Sequence, residues 1–411
     1  MQQTKSQPKS WQRVKLKDIT EKIASGGTPS RLHPEYFTSD REGNLWVKSK
    51  ELLDVAIEDT EEKITDDALN NSSAKYFPEH TVLIAMYGAN VGQLGWLKKR
   101  ATVNQAVCGL IIDDSKANWR YVFYSLLQNR DDLIVQARGA AQQNLNQDLI
   151  KNFEIVILEL ESQRMVGSIL AAYDDLIENN TKRIKILEQI AQAIYREWFV
   201  KPISNGELPN GWEASTLGEH LTGLESGSRP KGGVGEIKEG VPSVGAENIN
   251  GIGRHDHNSE KYIAKEFFGK MKRGMVQNRD VALYKDGAYI GRSSYFRDGF
   301  PHKNFSVNEH VFLLRSSGER ITQNFLYLWL REPDTIHEIR ATNANAAQPG
   351  INQPGVRGLK IILPPQKVVK EFDIKVEPIL ASIINLAKQN NELRQARDLL
   401  LPKLVTGEIQ V

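Results

Sequence analysis

The chain has 411 residues, of which 40% are hydrophobic, 25% charged and 8% aromatic, a composition typical of a soluble globular protein of roughly two to three domains. Because 53 Lys and Arg nearly balance 51 Asp and Glu, the net charge is +2, and a nucleic-acid-binding surface would have to be a local patch. The single cysteine, Cys108, excludes a disulfide framework and a multi-cysteine metal site. With no apolar leader and no apolar run near the ~20 residues that cross a bilayer, we expect a cytoplasmic protein.

The chain repeats itself at about half its length, which predicts the architecture before any single element is assigned. A Trp-x4-Leu motif leads into a Ser-Gly-x-x-Pro loop, a Gly-Ala-x-x-Gly turn follows a short apolar strand, and an Ala-Ala-Gln segment precedes Asn-Gln in both halves. The matching segments are residues 11–29 and 212–230, residues 88–92 and 287–291, and residues 140–147 and 346–353.

Each repeat alternates short apolar runs with clusters of Gly, Pro and Asn and contains brief helical patterns, which predicts a mixed α/β module of roughly 150 residues. In chain order, the predicted elements are strands at 82–86 and 107–112, a helix at 119–127, strands at 153–158 and 281–284, a helix at 323–330 and a strand at 359–363.

Behind each module the hydrophobic spacing changes to that of a long heptad helix. Seam positions at alternating spacings of three and four run from Leu170 to Trp198, and they recur 206 residues later from Val376 to Leu404. The first helix, residues 163–199, would be about 37 residues and about 55 Å long. Since each apolar stripe needs a partner and the second helix starts where the second module ends, we predict an antiparallel pair.

The expected fold class is therefore α+β: two mixed α/β modules separated by an antiparallel two-helix coiled coil, with an internal pseudo-two-fold repeat. Proline-rich and glycine-rich stretches mark the boundaries of four segments. These are a first module at 1–160, a central long helix at 161–203, a second module at 204–363, and a C-terminal long helix at 364–411 that packs antiparallel on the central helix.

Two amides interrupt the apolar seam and predict its register. Placing Asn180 opposite Asn390 makes facing residue numbers sum to 570, which sets apolar residues against each other and brings Tyr173 to Arg397. The same sum brings Trp198 to a phenylalanine at position 372. We expect the two amides to pair, because a buried amide without a partner costs about 1–3 kcal/mol.

The sequence carries no complete motif of a catalytic or metal-binding site. The Gly-Ala-x-x-Gly turns lack the spacing of nucleotide-binding loops, and the segment from Pro333 to Arg340 ends in Arg where a nuclease motif needs Lys, which favours an exposed helix end. His255 and His257 stand two apart with no third ligand in view, which favours a solvated loop over a metal site. Cys108 lies in an apolar run and is interpreted as a core residue. We predict no catalytic residue and no metal site.

The residues that favour nucleic-acid binding lie in loops that combine glycine, basic residues and amides. Glycine lets the backbone approach a phosphate, Arg, Lys, Ser and Thr donate hydrogen bonds to it, and Arg, Asn and Gln can read base edges. The alternative interpretation is that these residues form polar turns on a solvated surface. The candidate DNA-binding residues are Thr28, Ser30, Arg31, Lys48, Lys50, Asn90, Gln142, Gln143, Asn144, Arg229, Lys231, Asn248, Tyr289, Arg292, Asn345 and Gln348.

With these motifs in place, the sequence resembles the specificity subunits of type I restriction-modification systems over nearly its whole length. The two module-opening loops, the Gly-Ala turns and the two long helices carry the likeness. Its most specific segments are Gln163-Arg164, residues 173–180 (YDDLIENN), residues 195–199 (YREWF), residues 397–404 (RDLLLPKL) and Gly407-Glu408-Ile409.

The resemblance implies that each module is a target recognition domain reading one half of a bipartite asymmetric DNA site, and that the helices set the spacer between half-sites. It implies two methyltransferase subunits that modify adenine N6 and restriction/translocation subunits in the full complex, with SAM, ATP and Mg²⁺ on those partners and no cofactor in this non-catalytic chain. No family motif names base-reading residues, so the candidates above rest on loop chemistry. The alternatives are a repeat-built protein–protein scaffold without DNA specificity and a stand-alone nuclease or methylase with degenerate motifs.

Overall fold

The structure is a computed structural model that describes residues 11–40, 42–138, 144–203, 206–231, 233–234, 237–342 and 350–411. Its contacts divide the chain into two compact units. The first unit comprises residues 1–176 and 393–411, and the second unit comprises residues 177–392. Among the described helices, none combines the length and the apolar character that crossing a membrane requires.

The first unit is rich in short strands. Its strands are β1 (Gln12–Lys15), β2 (Thr20–Ser25), β3 (Phe37–Thr38), β4 (Asn44–Val47), β5 (Val55–Ile57), β6 (Lys63–Ile64), β7 (Tyr76–Phe77), β8 (Val82–Ala85), β9 (Leu94–Leu97), β10 (Ala101–Val103), β11 (Val107–Ile112) and β12 (Glu154–Ile157). Its helices are α1 (Asp66–Asn70), α2 (Trp119–Gln128), α3 (Arg130–Arg138) and α4 (Gln147–Asn152), followed by the start of the long helix α5 (Leu160–Tyr195).

The second unit repeats this pattern. Its strands are β13 (Glu213–Thr216), β14 (Leu221–Ser226), β15 (Val241–Val244), β16 (Gly251–Ile252), β17 (Tyr262–Ile263), β18 (Asp280–Tyr284), β19 (Ser293–Phe296), β20 (Ser306–Val307), β21 (Val311–Ser316) and β22 (Lys360–Leu363). Its helices are α6 (Lys265–Lys270), α7 (Gln323–Trp329), α8 (Pro333–Ala341), α9 (Gln353–Gly358) and most of the long helix α10 (Gln366–Val405).

The main sheets of the two units share one topology. The strand order β2-β11-β8-β9-β5 in the first unit corresponds strand for strand to β14-β21-β18-β19-β16 in the second. In both sheets the last strand pairs parallel with its neighbour and the other pairs are antiparallel. A second sheet has the order β3-β6-β4-β10-β7 in the first unit and β17-β15-β20 in the second. The mixed α/β class and the repeated module are confirmed.

The repeated Asn-Gln motif begins a short helix in each unit. The side chain of Asn146 accepts a hydrogen bond from the backbone N–H of Leu149 at 2.8 Å, and Asn352 does the same for Gly355 at 2.9 Å. Such caps satisfy a backbone donor that the first helical turn leaves free, and each contributes about 1 kcal/mol. The motif therefore recurs for a structural reason.

Each unit buries its own core between the main sheet and its helices. In the first unit, Val82 and Leu110 of the sheet share a buried cluster with Phe123 of α2, Leu170 of α5 and Leu401 of α10. The larger cluster of the second unit joins strands β18 and β21 to α7 and to the two long helices. The long helices thus contribute their apolar seams to the cores of both units.

Within the second unit the seam of the long helices runs antiparallel, as predicted. The ring of Trp198 lies 6.2 Å from that of Phe372, centroid to centroid, which is the contact that the register predicts. Asn180 and Asn390 are both buried, at 7% and 3% exposure. Beyond Tyr195, α5 continues through a π-helical turn, residues 196–200.

The predicted pairing of the two amides with each other is wrong. The side-chain N–H of Asn390 donates instead to the carbonyl of Ile177 at 3.4 Å and to the hydroxyl of Thr181 at 3.2 Å. A seam side chain packs into the gap between several residues of the facing helix and not directly against one of them. Asn390 therefore contacts the neighbours of Asn180. The side-chain oxygen of Asn390 has no partner among the described residues.

The register places Arg397 opposite Tyr173 in the first unit, and the charged group of Arg397 binds the residue next to that position. A guanidinium nitrogen of Arg397 lies 2.5 Å from the carboxylate of Asp174. The hydroxyl of Tyr124 donates to the other oxygen of that carboxylate at 2.6 Å. The carboxylate of Asp174 satisfies both groups because each of its two oxygens accepts one of them.

Candidate nucleic-acid interface

The glycines of the two module-opening loops serve the fold. The N–H of Gly26 donates to the carbonyl of Val107 at 3.1 Å, and a Cβ atom at this position would lie 1.9 Å from the carbonyl oxygen of Val103. At Gly227, a Cβ atom would lie 1.7 Å from the carbonyl oxygen of Val307. Both glycines let the loop pack closely against the backbone of a neighbouring strand, β10 in the first unit and β20 in the second. This packing explains the glycines without a bound phosphate.

In the first unit, three predicted cations converge on two adjacent carboxylates. Arg31 makes a two-pronged contact with Glu62 at 2.7 and 2.8 Å. The ammonium of Lys48 lies 3.3 Å from both Glu61 and Glu62, and that of Lys50 lies 2.5 Å from Glu61. The hydrogen bonds from Arg31 lower the pKa of Glu62 to about 2. The three basic candidates of this unit are therefore paired with carboxylates of the protein itself.

The other described candidates of the first unit lie in different settings, and one of them contacts the lysine-bearing turn. The side-chain N–H of Asn90, in the Gly-Ala turn, donates at 3.2 Å to the carbonyl of Ser49, between the two lysines. Thr28 donates its hydroxyl to Gln105, Ser30 is exposed and Asn144 is half-buried. The structure thus brings the Gly-Ala turn together with the lysine-bearing turn, two segments that the sequence leaves about 40 residues apart.

In the second unit, the Gly-Ala turn carries an exposed aromatic–cation pair. The side chain of Tyr289 is 46% exposed, and the guanidinium carbon of Arg292 lies 4.0 Å from the centroid of its ring. Arg292 also donates to the side-chain oxygen of Asn250 at 3.2 Å. A guanidinium held flat in this way keeps donors directed outward, which suits bidentate contact with guanine or with phosphate.

Beside this turn lies a pocket of about 590 Å³ that the sequence pattern did not predict. Tyr284, Asp286, Tyr289, His310 and Asn352 are among its lining residues. The imidazole of His310 lies 2.7 Å from the carboxylate of Asp286, and burial raises the pKa of Tyr284. Asp286 directly precedes the repeated turn, which is the sequence signal that could have indicated the pocket.

Other candidates of the second unit fall into different settings. Arg229 is paired with Glu309 at 2.7 Å, and Lys231 is exposed. Asn248 is only 2% exposed, and its amide accepts from the N–H of Asp256 at 2.7 Å and donates to its carbonyl at 3.2 Å. It holds a loop closed and presents no group to a ligand. The candidates outside the described residues are Gln142, Gln143, Asn345 and Gln348.

The interpretation of His255 and His257 as a solvated loop is wrong for His255, whose side chain is 1% exposed. Glu260 and His302 lie beside them and supply the further groups that the local sequence does not show. Burial lowers the pKa of His255 to about 4. Burial alone would raise the pKa of Glu260, but hydrogen bonds from Tyr262, His302 and His255 outweigh it and lower that pKa to about 2.

Two smaller predictions agree with the structure. Cys108 is fully buried in β11, and burial raises the pKa of its thiol to about 12, which makes it unreactive at neutral pH. The segment with the incomplete nuclease motif is helix α8, as expected from its pattern.

Comparison with known proteins agrees with the family resemblance of the sequence and with the fold. Residues 8–189 match the family model described as the type I restriction modification DNA specificity domain. The chain is 29% identical to the type I restriction enzyme MjaIX specificity subunit of Methanocaldococcus jannaschii, over 98% of this chain and 94% of the relative. It is 23% identical, over the same shares, to the MjaVIII specificity subunit of that organism.

A solved structure shows the same fold. The type I restriction-modification S subunit from M. genitalium superposes with a TM-score of 0.59 at 16% identity, over 98% of each chain. The two chains share a fold of two sheet-rich modules and long helices. The chain is thus similar to type I restriction-modification specificity subunits over nearly its whole length, and its residues 8–189 match their DNA specificity domain.

Proposed function

We propose that this chain is the non-catalytic DNA-recognition subunit of a type I restriction-modification enzyme and that each module reads one half of a bipartite asymmetric site. One observation carries the proposal. The two units share a sheet topology and a Gly-Ala turn, but the side chains around the turn differ. Two modules that bind different base sequences would need the same fold with different hydrogen-bond donors and acceptors around it.

The chemistry of the two loop sets supports separate half-sites. The first unit offers Lys48, Lys50 and Asn90 around its turn, whereas the second offers Tyr289 and Arg292. Lysine suits phosphate as a point charge, an amide suits adenine, and a stacked guanidinium suits guanine. In the first unit, Glu61 and Glu62 keep the cations paired until a phosphate competes for them.

The long helices are the proposed docking sites for two methyltransferase subunits. Both helices expose large apolar side chains outside their buried seams, and such exposed groups are common where partner proteins bind. Examples are Leu176, Ile186 and Ile190 on α5 and Ile374 and Leu399 on α10. SAM would be bound by those partners, and ATP and Mg²⁺ by the restriction/translocation subunits. The register of the seam would set the spacer between half-sites.

A module exchange tests the proposal. Residues 206–364 are replaced with the corresponding module of another specificity subunit, and the chimera is expressed with the methyltransferase partner in a host whose methylated adenines are then sequenced. We expect one half of the methylated motif to change and the other half to stay. A change in both halves, or in neither, would contradict separate reading by the modules. Retention of the partner without any selective binding of duplex DNA would favour the protein-scaffold alternative.

A further inference from the structure

Four side chains of the second unit converge in a cluster that DNA reading does not use. His255, His257 and Glu260 come from the loop between β16 and β17, and His302 comes from the loop between β19 and β20. One nitrogen of each imidazole and one carboxylate oxygen all lie within 4.8 Å of one another. The cluster joins two loops that are separated by more than 40 residues of sequence.

Hydrogen bonding among these groups does not account for their arrangement. The same oxygen of Glu260 lies 2.5 Å from His255 Nε2, 2.9 Å from His257 Nδ1 and 2.5 Å from His302 Nε2. A carboxylate oxygen has two lone pairs, so three imidazoles crowd an acceptor that serves two donors well. The other nitrogen of the buried His255 ring, Nδ1, has no partner among the described residues. Among the described residues, the ring of His255 is therefore bound only through its Nε2 contact inside the cluster.

We propose that these four residues bind a zinc ion through His255 Nε2, His257 Nδ1, His302 Nε2 and a carboxylate oxygen of Glu260. Imidazole-rich sites favour zinc over magnesium or calcium, which prefer sites made of oxygen ligands. Zinc with ligands at about 2.0–2.1 Å places tetrahedral ligand atoms about 3.3 Å apart. The carboxylate oxygen of Glu260, now 2.5–2.9 Å from the three imidazole nitrogens, would therefore move outward to admit the ion.

The site is structural. Four protein ligands fill a tetrahedral coordination shell and leave no position for a substrate or an activated water. The hydroxyl of Tyr262 donates to the second oxygen of Glu260 at 2.7 Å, which orients the carboxylate as outer-shell partners of metal ligands do. The ion would fasten the loop after β16 to the loop after β19. Among the described residues this is the one group of its kind, so the effect of the metal is confined to the second unit.

Zinc titration of the full chain tests the proposal. The protein is produced without a histidine tag, stripped with a chelator, and titrated with Zn²⁺ against a chromophoric competitor, with metal content measured by mass spectrometry. We expect about one equivalent in the wild type. In His302→Ala we expect at least about a 100-fold loss of affinity, because even outer-shell partners are worth 10–100-fold. His337→Ala, an exposed histidine of α8 in the same unit, is the matched control and should bind like the wild type.

Two further measurements keep the test decisive. Co²⁺ in place of zinc should give the intense visible absorption of a tetrahedral site in the wild type and in His337→Ala. Tyr262→Phe leaves the four ligands in place and should weaken zinc binding about 10-fold with an unchanged circular dichroism spectrum. Substoichiometric binding by the wild type overturns the site, as does wild-type affinity in His302→Ala. If His302→Ala does not fold, the result for Tyr262→Phe decides, and an unchanged affinity there overturns the proposal.

Discussion

Removing the carboxylate of Glu377 should weaken the second unit more than any surface charge. This side chain on α10 accepts from Arg297 at 2.6 Å, from Arg279 at 2.7 Å and from the amide of Asn324 at 2.9 Å. The two arginines stand at the ends of β18 and β19, so one carboxylate fastens the main sheet to the long helix. The substitution Glu377→Ala removes all three contacts at once.

The expected magnitude follows from the burial of Arg297, whose side chain is 2% exposed. Deleting one partner of a fully buried ion pair costs about 3–5 kcal/mol. Because Asp298 still pairs with Arg297 at 2.8 Å and the side chain of Glu377 is 34% exposed, we expect a smaller cost of about 2 kcal/mol. Burial alone would raise the pKa of Glu377, but hydrogen bonds from Arg297, Asn324 and Arg279 outweigh it and lower the pKa to about 2. The carboxylate therefore contributes its full stability above pH 4.5 and loses it as the pH falls toward 2.

Urea unfolding with hydrogen exchange read residue by residue is the suitable assay, because a chain of two units does not unfold in one step. The free energy of unfolding of the second unit should fall by about 2 kcal/mol in Glu377→Ala, because Arg297 keeps its pair with Asp298. Glu371→Ala on the same helix breaks only an exposed pair with Lys367 and should change it by less than about 1 kcal/mol. In the double variant with Glu377→Leu and Arg297→Met, much of the loss should be recovered.

Two results would refute this reasoning. One is a cost below about 1 kcal/mol for Glu377→Ala, which would mean that the buried guanidinium finds water or another acceptor. The other is a double variant whose loss equals the sum of the two single losses, because residues of one buried network should not behave additively.

Three more predictions concern the loops. Arg292→Ala should cost about 1–3 kcal/mol of discrimination at one base position of the second half-site. Lys50→Ala should instead weaken binding equally for all DNA sequences and reduce the salt dependence of binding. DNA-binding titrations at several salt concentrations measure both effects. Gly227→Ala should destabilise the second unit by about 1–3 kcal/mol or more in thermal unfolding, while Gly269→Ala, where a Cβ meets no atom within 4 Å, should stay near the wild type. The carboxylate of Glu62, with its lowered pKa of about 2, should stabilise the first unit above pH 4.5, and the stability difference between wild type and Glu62→Gln should shrink as the pH falls toward 2.

The architecture could be predicted from the sequence because it depends on local hydrophobic patterns and on motifs that occur twice in the chain. Strand β11 and helices α2 and α7 lie where their periodicity predicts, and the heptad seam predicted both long helices. The spacing of hydrophobic residues follows from the face that an element buries, so it can be read from the sequence without knowing which elements lie beside it. The duplicated motifs then predicted that the same module occurs twice.

Only the tertiary structure decided which side chains meet. Glu61 and Glu62 neutralise Arg31 and the lysines because strand β6 lies beside β4, and His302 reaches His255 because two loops of the second unit come together. These contacts join residues that lie tens of positions apart, and their existence depends on strand order and loop paths that no local period encodes. The seam amide at Asn390 shows the same limit at finer scale, since the heptad pattern predicts the facing layer, whereas side-chain packing selects the partner within it.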